Sequence, residues 1–277
     1  MTPTLVRRHR PHRAHAPHVD LHARARDWAE IQERMLAPLY EAVFARLEVG
    51  RGTRFLGLDC GAGLALVLAA ARGASVAGVE RAFPERLALA GERLERGGAA
   101  ARRAQAPGGT TGGGAGPYGL IAACRPIGCT DGDAEDLTAL LADTVPQAER
   151  GALVVLTGWG PPDRCTTSRV LEAAAGLADP LRGAGGWRAA RRDDLEEVAQ
   201  RAGLRPEGSG RVACPFGYAD TGSAVRGLLS TGLFDAAAAA TDPGQVTKEV
   251  TEALQPYVRA DGTVWMPNIF RYLVART

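Results

Sequence analysis

From Asp27 to Gly50 the apolar residues Trp28, Ile31, Met35, Leu36, Leu39, Val43, Phe44 and Leu47 recur at helical spacing. Pro38 lies inside that pattern without an amide hydrogen to donate, so the stretch is expected to form two helices or one kinked helix. After Thr53 the period changes. RFLGLD is a short apolar run of strand length, LALVLAAARG is a helical segment closed by Gly73, SVAGVE is a second strand, and PERLALAGERLERGG is a second helix with Pro84 in its first turn and Gly97 at its stop. Strand, helix, strand and helix in direct succession predict a parallel α/β unit, because parallel neighbours need a crossover between them.

The alternation then lapses. AAARRAQAPGGTTGGGAGP holds too many glycines and too few apolar residues for a regular element, and reads as a loop with at most a weak strand near Ala101 to Gln105. Pattern resumes with YGLIAAC as a strand, DAEDLTALLADTV as a helix and ALVVLTGW as a strand that WGPPD ends, since prolines cannot continue a ladder. Helices are expected at Ser168 to Leu177 and Asp193 to Ala202. An apolar segment around Val212 to Phe216 follows, then a helical region over 220–258 with Pro243 in the first turn of its last helix, and a closing strand NIFRYLVA. No internal repeat is visible.

Composition narrows the classes. The chain has 277 residues, 45% hydrophobic and 23% charged, which suits a soluble globular domain with a substantial core. A formal net charge of +2 conceals an asymmetry: residues 1–26 carry six arginines against Asp20, a net +5, which leaves −3 for the rest. A slightly acidic body argues against nucleic acid as a partner. The longest clean apolar run, Leu64 to Ala71, is far short of the roughly 20 residues a bilayer requires, so no membrane partner is expected. Cys60, Cys124, Cys129, Cys165 and Cys214 form no CxxC pair and follow no secretory segment, which points to reduced thiols in a cytoplasmic protein. All five histidines lie near the start. His9, His12, His15 and His18, three apart, could share one face of a polyproline II helix and bind a metal, but the arginine-rich composition favours a disordered basic tail over 1–26, and no metal is expected.

LGLDCGAGLA, from Leu56 to Ala65, sets an acid and two closely spaced glycines where a strand turns into a helix. That is the general device for bringing backbone amides close to a nucleotide-like ligand. Two acids make it more specific. Asp59 precedes the glycines, and Glu80 ends the second strand 21 residues later, where a carboxylate can accept hydrogen bonds from both ribose hydroxyls. A dinucleotide fingerprint beginning at Gly61 requires glycine at position 66, and Leu66 stands there, which counts against an NAD(P)-dependent oxidoreductase.

The run Asp59, Cys60, Gly61, Ala62, Gly63, Leu64, Ala65 resembles the first motif of the class I S-adenosylmethionine-dependent methyltransferases, in which an acid precedes glycines at alternate positions. DWAEIQERMLAPLYEAVFARLEVGRGTRFLGLDCGAG is similar to the N-terminal helices of small-molecule methyltransferases of bacterial metabolism, and GASVAGVERAFPERLALAGERL to their second strand and helix. ALVVLTGWGPPD, CPFGYADTGSAVRGLLSTG and NIFRYLVA are similar to the fifth strand, the start of the helical substrate insert and the closing strand of a type 11-like, actinobacterial subgroup. The resemblance covers most of residues 27–277. It implies a Rossmann-like α/β fold: a seven-stranded, mostly parallel sheet with helices on both faces and an N-terminal helical cap over 27–50. A cofactor-binding half over 51–160 and a C-terminal half over 161–277 with a helical insert at about 219–260 complete it. It also implies S-adenosylmethionine as cofactor, with Asp59 orienting the methionine amino group, Gly61 and Gly63 permitting close backbone approach and Glu80 binding the ribose. Cys60, Ala62, Arg81 and Cys124 would complete the cofactor site. The implied partner is a small-molecule methyl acceptor, a specialised metabolite; the oligomeric state is left open.

Three departures accompany the resemblance. Ala65 replaces the third glycine, a change that helical dihedrals accommodate. The adenine-binding segment is degenerate: ARRAQAPGGTTGGGAGPYGLIAAC lacks the usual acid, and Gly119 stands where the family carries Asp. GDAEDL, Gly132 to Leu137, spells the adenine motif but follows the YGLIAAC strand, and Asp131 or Asp133 reads instead as a helix N-cap. Finally, the body offers no imidazole base, which suits an amine, thiolate or stabilised carbon nucleophile better than a hydroxyl and leaves N-, C- and O-methylation open. Trp159, Phe216, Tyr218 and Arg226 are the candidates to line the acceptor pocket. Trp159, with Cys124 and Arg125, follows a strand, and sites in open α/β sheets lie beyond the carboxyl ends of strands. Core packing competes for the aromatics, and Asn268 and Arg271 read equally well as structural. The alternative function is a non-methylating protein on the same fold, either a regulatory binding module or a cyclase-like enzyme.

Overall fold

The computed structural model describes residues 20–97, 102–103, 117–175 and 186–277. The expected tail as far as residue 19, with its four evenly spaced histidines, and the glycine-rich stretch 104–116 lie outside the described residues. The first helix, α1 (Leu21–Asp27), starts inside the expected tail because Asp20 caps it, accepting from the amides of His22 and Ala23 at 3.0 Å each. The tail boundary at residue 26 is corrected accordingly. A π turn (Trp28–Gln32) and a 3-10 turn (Glu33–Leu36) lead into α2 (Ala37–Arg46). Pro38 sits in the first turn of α2, where its missing amide leaves no bond unmade, so the expected break falls ahead of the proline.

The α/β alternation follows in the predicted order. It comprises β1 (Arg54–Leu58), α3 (Leu64–Ala71), β2 (Ser75–Val79), α4 (Pro84–Arg96), a two-residue β3 (Arg102–Arg103), β4 (Tyr118–Ala123), α5 (Asp133–Thr144) and β5 (Ala148–Trp159). The C-terminal half holds α6 (Thr167–Ala175), α7 (Asp194–Arg201), β6 (Arg205–Ala213), β7 (Phe216–Tyr218), α8 (Thr221–Ser230), α9 (Asp235–Ala240), α10 (Pro243–Leu254), β8 (Val264–Met266) and β9 (Ile269–Arg276). Six substantial strands and the short β3 make one sheet in the order β3-β2-β1-β4-β5-β9-β6, and β7 pairs β8 in a separate two-stranded sheet. The pairs from β3 to β5 are parallel, while β9 runs antiparallel to both β5 and β6.

One element departs from the pattern-based reading. RPEGSGRVA carries almost no apolar alternation, yet forms the edge strand β6, while NIFRYLVA, the last strand in the chain as expected, inserts between β5 and β6. The edge is held from above by α2: the Arg46 guanidinium donates to Ser209 O at 3.0 Å and to the Tyr272 hydroxyl at 3.2 Å. Glycines at 208 and 210 leave the room for those two side chains.

Both faces of the sheet are apolar, which is why its strands read as continuous hydrophobic runs. Phe55, Val76, Leu120, Val155 and Phe270 pack with Phe44, Leu66, Val170 and Leu228 on one side. On the other, Leu56, Val79, Ile121, Val154 and Leu273 pack with Leu137, Leu141, Leu195 and Val198. The chain leaves β1 toward β2 on one side and returns as β4 on the other, so a crevice opens beyond the carboxyl ends of β1 and β4.

Candidate functional site

LGLDCGAGLA lies at that crevice. Asp59 follows β1 with φ +46°, and Gly61 and Gly63 take φ +57° and +85°, so the chain passes through left-handed backbone three times before α3 begins. Space enforces the glycines as well. A Cβ on Gly63 would stand 2.7 Å from Ala90 Cβ of α4, and one on Gly61 would stand 2.7 Å from both Glu33 Oε1 and Trp28 Nε1. Ala65 is buried in the first turn of α3 and replaces the third glycine without strain, since its backbone is helical. Leu66 is wedged over Gly57 and Gly78, closing α3 onto β1 and β2.

The two sequence-predicted acids converge on this turn. Glu80 Oε2 accepts from Gly61 N at 2.9 Å, and its Oε1 accepts from the amides of Ala82 and Phe83 at 3.0 and 3.3 Å. Burial pushes the Glu80 carboxyl above its ordinary value, with the charge of Asp59 second, only partly offset by the Gly61 amide. Asp59 Oδ2 pairs with Arg125 at 3.0 Å, and its Oδ1 lies 3.9 Å from Arg81 Nε. Arg81 also donates to Asp136 O at 3.2 Å, so it ties the turn to α5. Cys60, Ala62 and Cys124 are buried and present backbone rather than reactive side chains; burial raises both thiols well above the ordinary range.

A third acid, Glu33, comes from the N-terminal cap. It is 2% exposed, pairs with Arg93 at 2.7 Å, and has its carboxyl pushed up by burial. Arg93 donates also to Ala62 O at 2.9 Å, so α4 clamps the cap onto the glycine turn. Trp28 completes the cover; its indole Nε1 is buried without a hydrogen-bond partner. Trp28 stacks on the Arg86 guanidinium at 4.2 Å from ring centroid, with Phe83 at 3.7 Å on the same cation. Arg86 is 3% exposed and donates to Ser230 O at 2.5 Å; burial lowers its pKa to about 10. The space left over the turn, among Trp28, Glu33, Asp59, Glu80, Arg86 and Arg125, is about 10 Å3, room for about one water.

A second cavity, of about 90 Å3, lies behind that wall. Trp159, at the end of β5, meets Phe270 at 4.7 Å and Phe216 at 6.0 Å between ring centroids, and these three rings with Leu36, Cys129 and Leu233 form its apolar lining. Trp28, Arg86 and Arg125 line both cavities. Trp159 and Phe216 thus line this second cavity.

Tyr218 and Arg226 do not. Tyr218 is 2% exposed and donates to Gln32 Oε1 at 2.8 Å, so it fastens β7 to the N-terminal cap instead of lining a cavity. Arg226 lies on the outer side of α8, its side chain 61% exposed and 3.7 Å from Asp27, because the helical period turns it away from the core that Val225 and Leu228 face. Asp133 is not a helix cap either: its Oδ2 accepts from the amides of Gly128, Cys129 and Thr130, and Arg188 holds its Oδ1 at 2.7 Å. Gly132 occupies the N-cap, and Asp131 makes no capping bond. Asn268 and Arg271 are structural, bonded to Thr167 and Glu196.

Glu33, Arg86 and Arg93 escaped the sequence reading. Their signal was weak: each is one charge within an amphipathic helical stretch, where charges usually face water. Among the described residues no three His, Cys, Asp or Glu side chains gather to hold a metal, and no helix is long and apolar enough to cross a membrane.

No family model and no curated protein matches the chain. Solved structures do. YjhP from E. coli matches at 17% identity over 92% of this chain and 99% of that one, with a TM-score of 0.52. A SAM-dependent methyltransferase from Thiobacillus denitrificans, in complex with S-adenosyl-L-homocysteine, matches at 18% identity over 92% and 98%, with a TM-score of 0.51. The [4+2]-cyclase SpnF matches at 14% identity over 88% and 80%, with a TM-score of 0.50. These likenesses, with the seven-stranded order described above, give the chain the Rossmann-like fold of the class I S-adenosylmethionine-dependent methyltransferases.

Proposed function

We propose that the protein is an S-adenosylmethionine-dependent methyltransferase acting on a small molecule, a specialised metabolite, in the cytoplasm. The observation that carries the reading is the convergence of Asp59, Glu80 and the Gly61 amide on one turn at the carboxyl ends of β1 and β2. Two half-buried carboxylates that repel each other beside an unpartnered indole N–H form a donor set suited to a ligand with an ammonium group and vicinal hydroxyls. Asp59 would hold the amino group, Glu80 the ribose hydroxyls, and the left-handed glycines would let the ligand approach the backbone. The backbone of Cys60, Ala62 and Cys124 and the side chain of Arg81 would frame it. When bound, the cofactor supplies an electrophilic methyl group on a sulfonium.

The chemistry of the turn suits the cofactor; its present volume does not. About 10 Å3 cannot admit a nucleoside, so the side chains that fill the turn, Trp28 and Arg125 among them, have to give way to the cofactor. The chain's part in the reaction is to align donor and acceptor and exclude water, since no histidine among the described residues lines either cavity and His22 of α1 is exposed away from both. The five buried, unpaired thiols suit a reducing compartment.

The second reading is a non-methylating protein on this fold, regulatory or cyclase-like. It is favoured by the Trp28–Arg86 stack and the Arg125–Asp59 pair, which fill the turn with the chain's own groups. Titration calorimetry with S-adenosylhomocysteine separates the readings from the first step. Absence of binding sinks the methyltransferase, and transfer of a labelled methyl group to any acceptor removes the alternative. An NAD(P)-dependent oxidoreductase is the least supported, with Leu66 packed where its third glycine belongs.

A further inference from the structure

The wall between the cavities carries charge that the aromatic side leaves unanswered. Arg86 and Arg125 both line that side, and the one carboxylate there, Asp133, is saturated by three amides and Arg188. Arg86 donates to two carbonyl oxygens and lies against two aromatic rings, and the acids that act on its charge, Glu80 and Glu33, stand on the glycine-turn side rather than the aromatic side. Arg125 is paired across the wall with Asp59 at 3.0 Å, and its side chain keeps 41% exposure, so it is free to swing. Asp59 is also the acid that the methyltransferase reading reserves for a ligand ammonium. An ammonium arriving there displaces the guanidinium by like-charge repulsion, and the aromatic cavity is the other space it already borders.

We propose that the aromatic cavity takes a flat aromatic acceptor whose reacting group is an anionic oxygen, a carboxylate or a phenolate, and that Arg125 binds this oxygen once a ligand ammonium has taken its place on Asp59. The inference rests on the proposed methyltransferase function. Trp159, Phe216 and Phe270 provide the walls of a cavity of about 90 Å3, to which the space left by Arg125 is added when it turns from Asp59. An oxygen lone pair forms the new C–O bond while the sulfonium C–S bond breaks, its electrons staying on sulfur. The acceptor anion becomes a neutral ester or ether, and no proton has to leave. An anionic oxygen therefore needs no imidazole base, and no histidine among the described residues lines either cavity.

The test is an NMR titration of the full chain with benzoate and with its neutral counterpart benzyl alcohol, each with and without saturating S-adenosylhomocysteine. In the loaded protein benzoate is expected to bind about tenfold more tightly than benzyl alcohol, as one charge-assisted contact provides. Without S-adenosylhomocysteine the preference shrinks, and Asp59→Asn restores it by releasing Arg125. Arg125→Gln abolishes the preference, and Arg125→Lys recovers part of it, which keeps the test alive if the glutamine variant misfolds. Repeating the titration with phenol above and below its own pKa distinguishes phenolate from carboxylate. Equal binding of benzoate and benzyl alcohol to the loaded wild type, or a preference that survives Arg125→Gln, overturns the inference and leaves the methyltransferase reading standing. If S-adenosylhomocysteine does not bind, that reading falls instead, and a benzoate preference in Asp59→Asn still decides the Arg125 assignment.

Discussion

The glycine-turn cavity and the aromatic cavity share Trp28, Arg86 and Arg125, but differ in nearly everything else. Around the turn, Glu33, Asp59 and Glu80 stand among Arg81, Arg86, Arg93 and Arg125, and almost no space remains. Behind the wall the lining is aromatic, its one acid among the described residues is neutralised by structure, and about 90 Å3 is open. Buried charges demand partners, so the polar side has recruited its own arginines and an amide network. Apolar walls make no such demand and can be left open. If the proposed function holds, this contrast puts the barrier to binding on the glycine-turn side and the selectivity on the aromatic side.

The largest expected effect tests whether the turn's shape is obligatory. Gly63→Val places a side chain on a φ of +85° and against Ala90, and is expected to cost about 3 kcal/mol in urea unfolding. Next comes Glu80→Ala, which removes the carboxylate from the Gly61 amide and from the expected ribose. S-adenosylhomocysteine affinity should fall about tenfold or more by calorimetry, the equivalent of roughly 1.5–3 kcal/mol of charge-assisted bonding. Unchanged affinity would mean that Glu80 is only a brace for the turn.

Trp28→Ala tests the wall itself. Loss of the stack on Arg86 is expected to cost about 1–2 kcal/mol of stability while joining the two cavities, and stopped-flow fluorescence should then record faster S-adenosylhomocysteine association. A slower association would make Trp28 part of the binding surface instead of a cover.

A smaller effect is pH-dependent. Glu80 is raised above its ordinary 4.5, so between that value and its folded value the native chain holds more protons than the unfolded one. Stability from this group therefore rises as pH falls through that window, and Glu80→Gln should remove the rise in urea midpoints. The smallest effect belongs to Arg226→Ala: an exposed arginine outside both cavities should change stability and S-adenosylhomocysteine affinity by less than about 0.5 kcal/mol.

The fold was legible wherever a residue's role depended on its near neighbours in the chain. LGLDCGAGLA announced its turn because left-handed backbone needs glycine, and the apolar runs of β1, β2, β4 and β5 announced a buried parallel sheet because both faces must be covered. RPEGSGRVA was silent because an edge strand owes its pairing to β9 and its cover to Arg46, neither of which leaves a local trace. The cap's start at Asp20 was masked by the arginines around it.

The site divides along the same line. By itself the sequence determined the acid, the glycines and Glu80, since one β-α-β crossover places them at one crevice whatever the rest of the chain does. Trp159 was legible as the end of a strand, and Phe216 only as part of the expected insert. Only the tertiary structure decided that Trp28 and Glu33 cover the turn, that Arg125 closes on Asp59, and that Tyr218 and Arg226 serve elsewhere. Periodicity tells which face of a helix turns inward, whereas the partner that receives that face is chosen by packing between segments far apart in the chain.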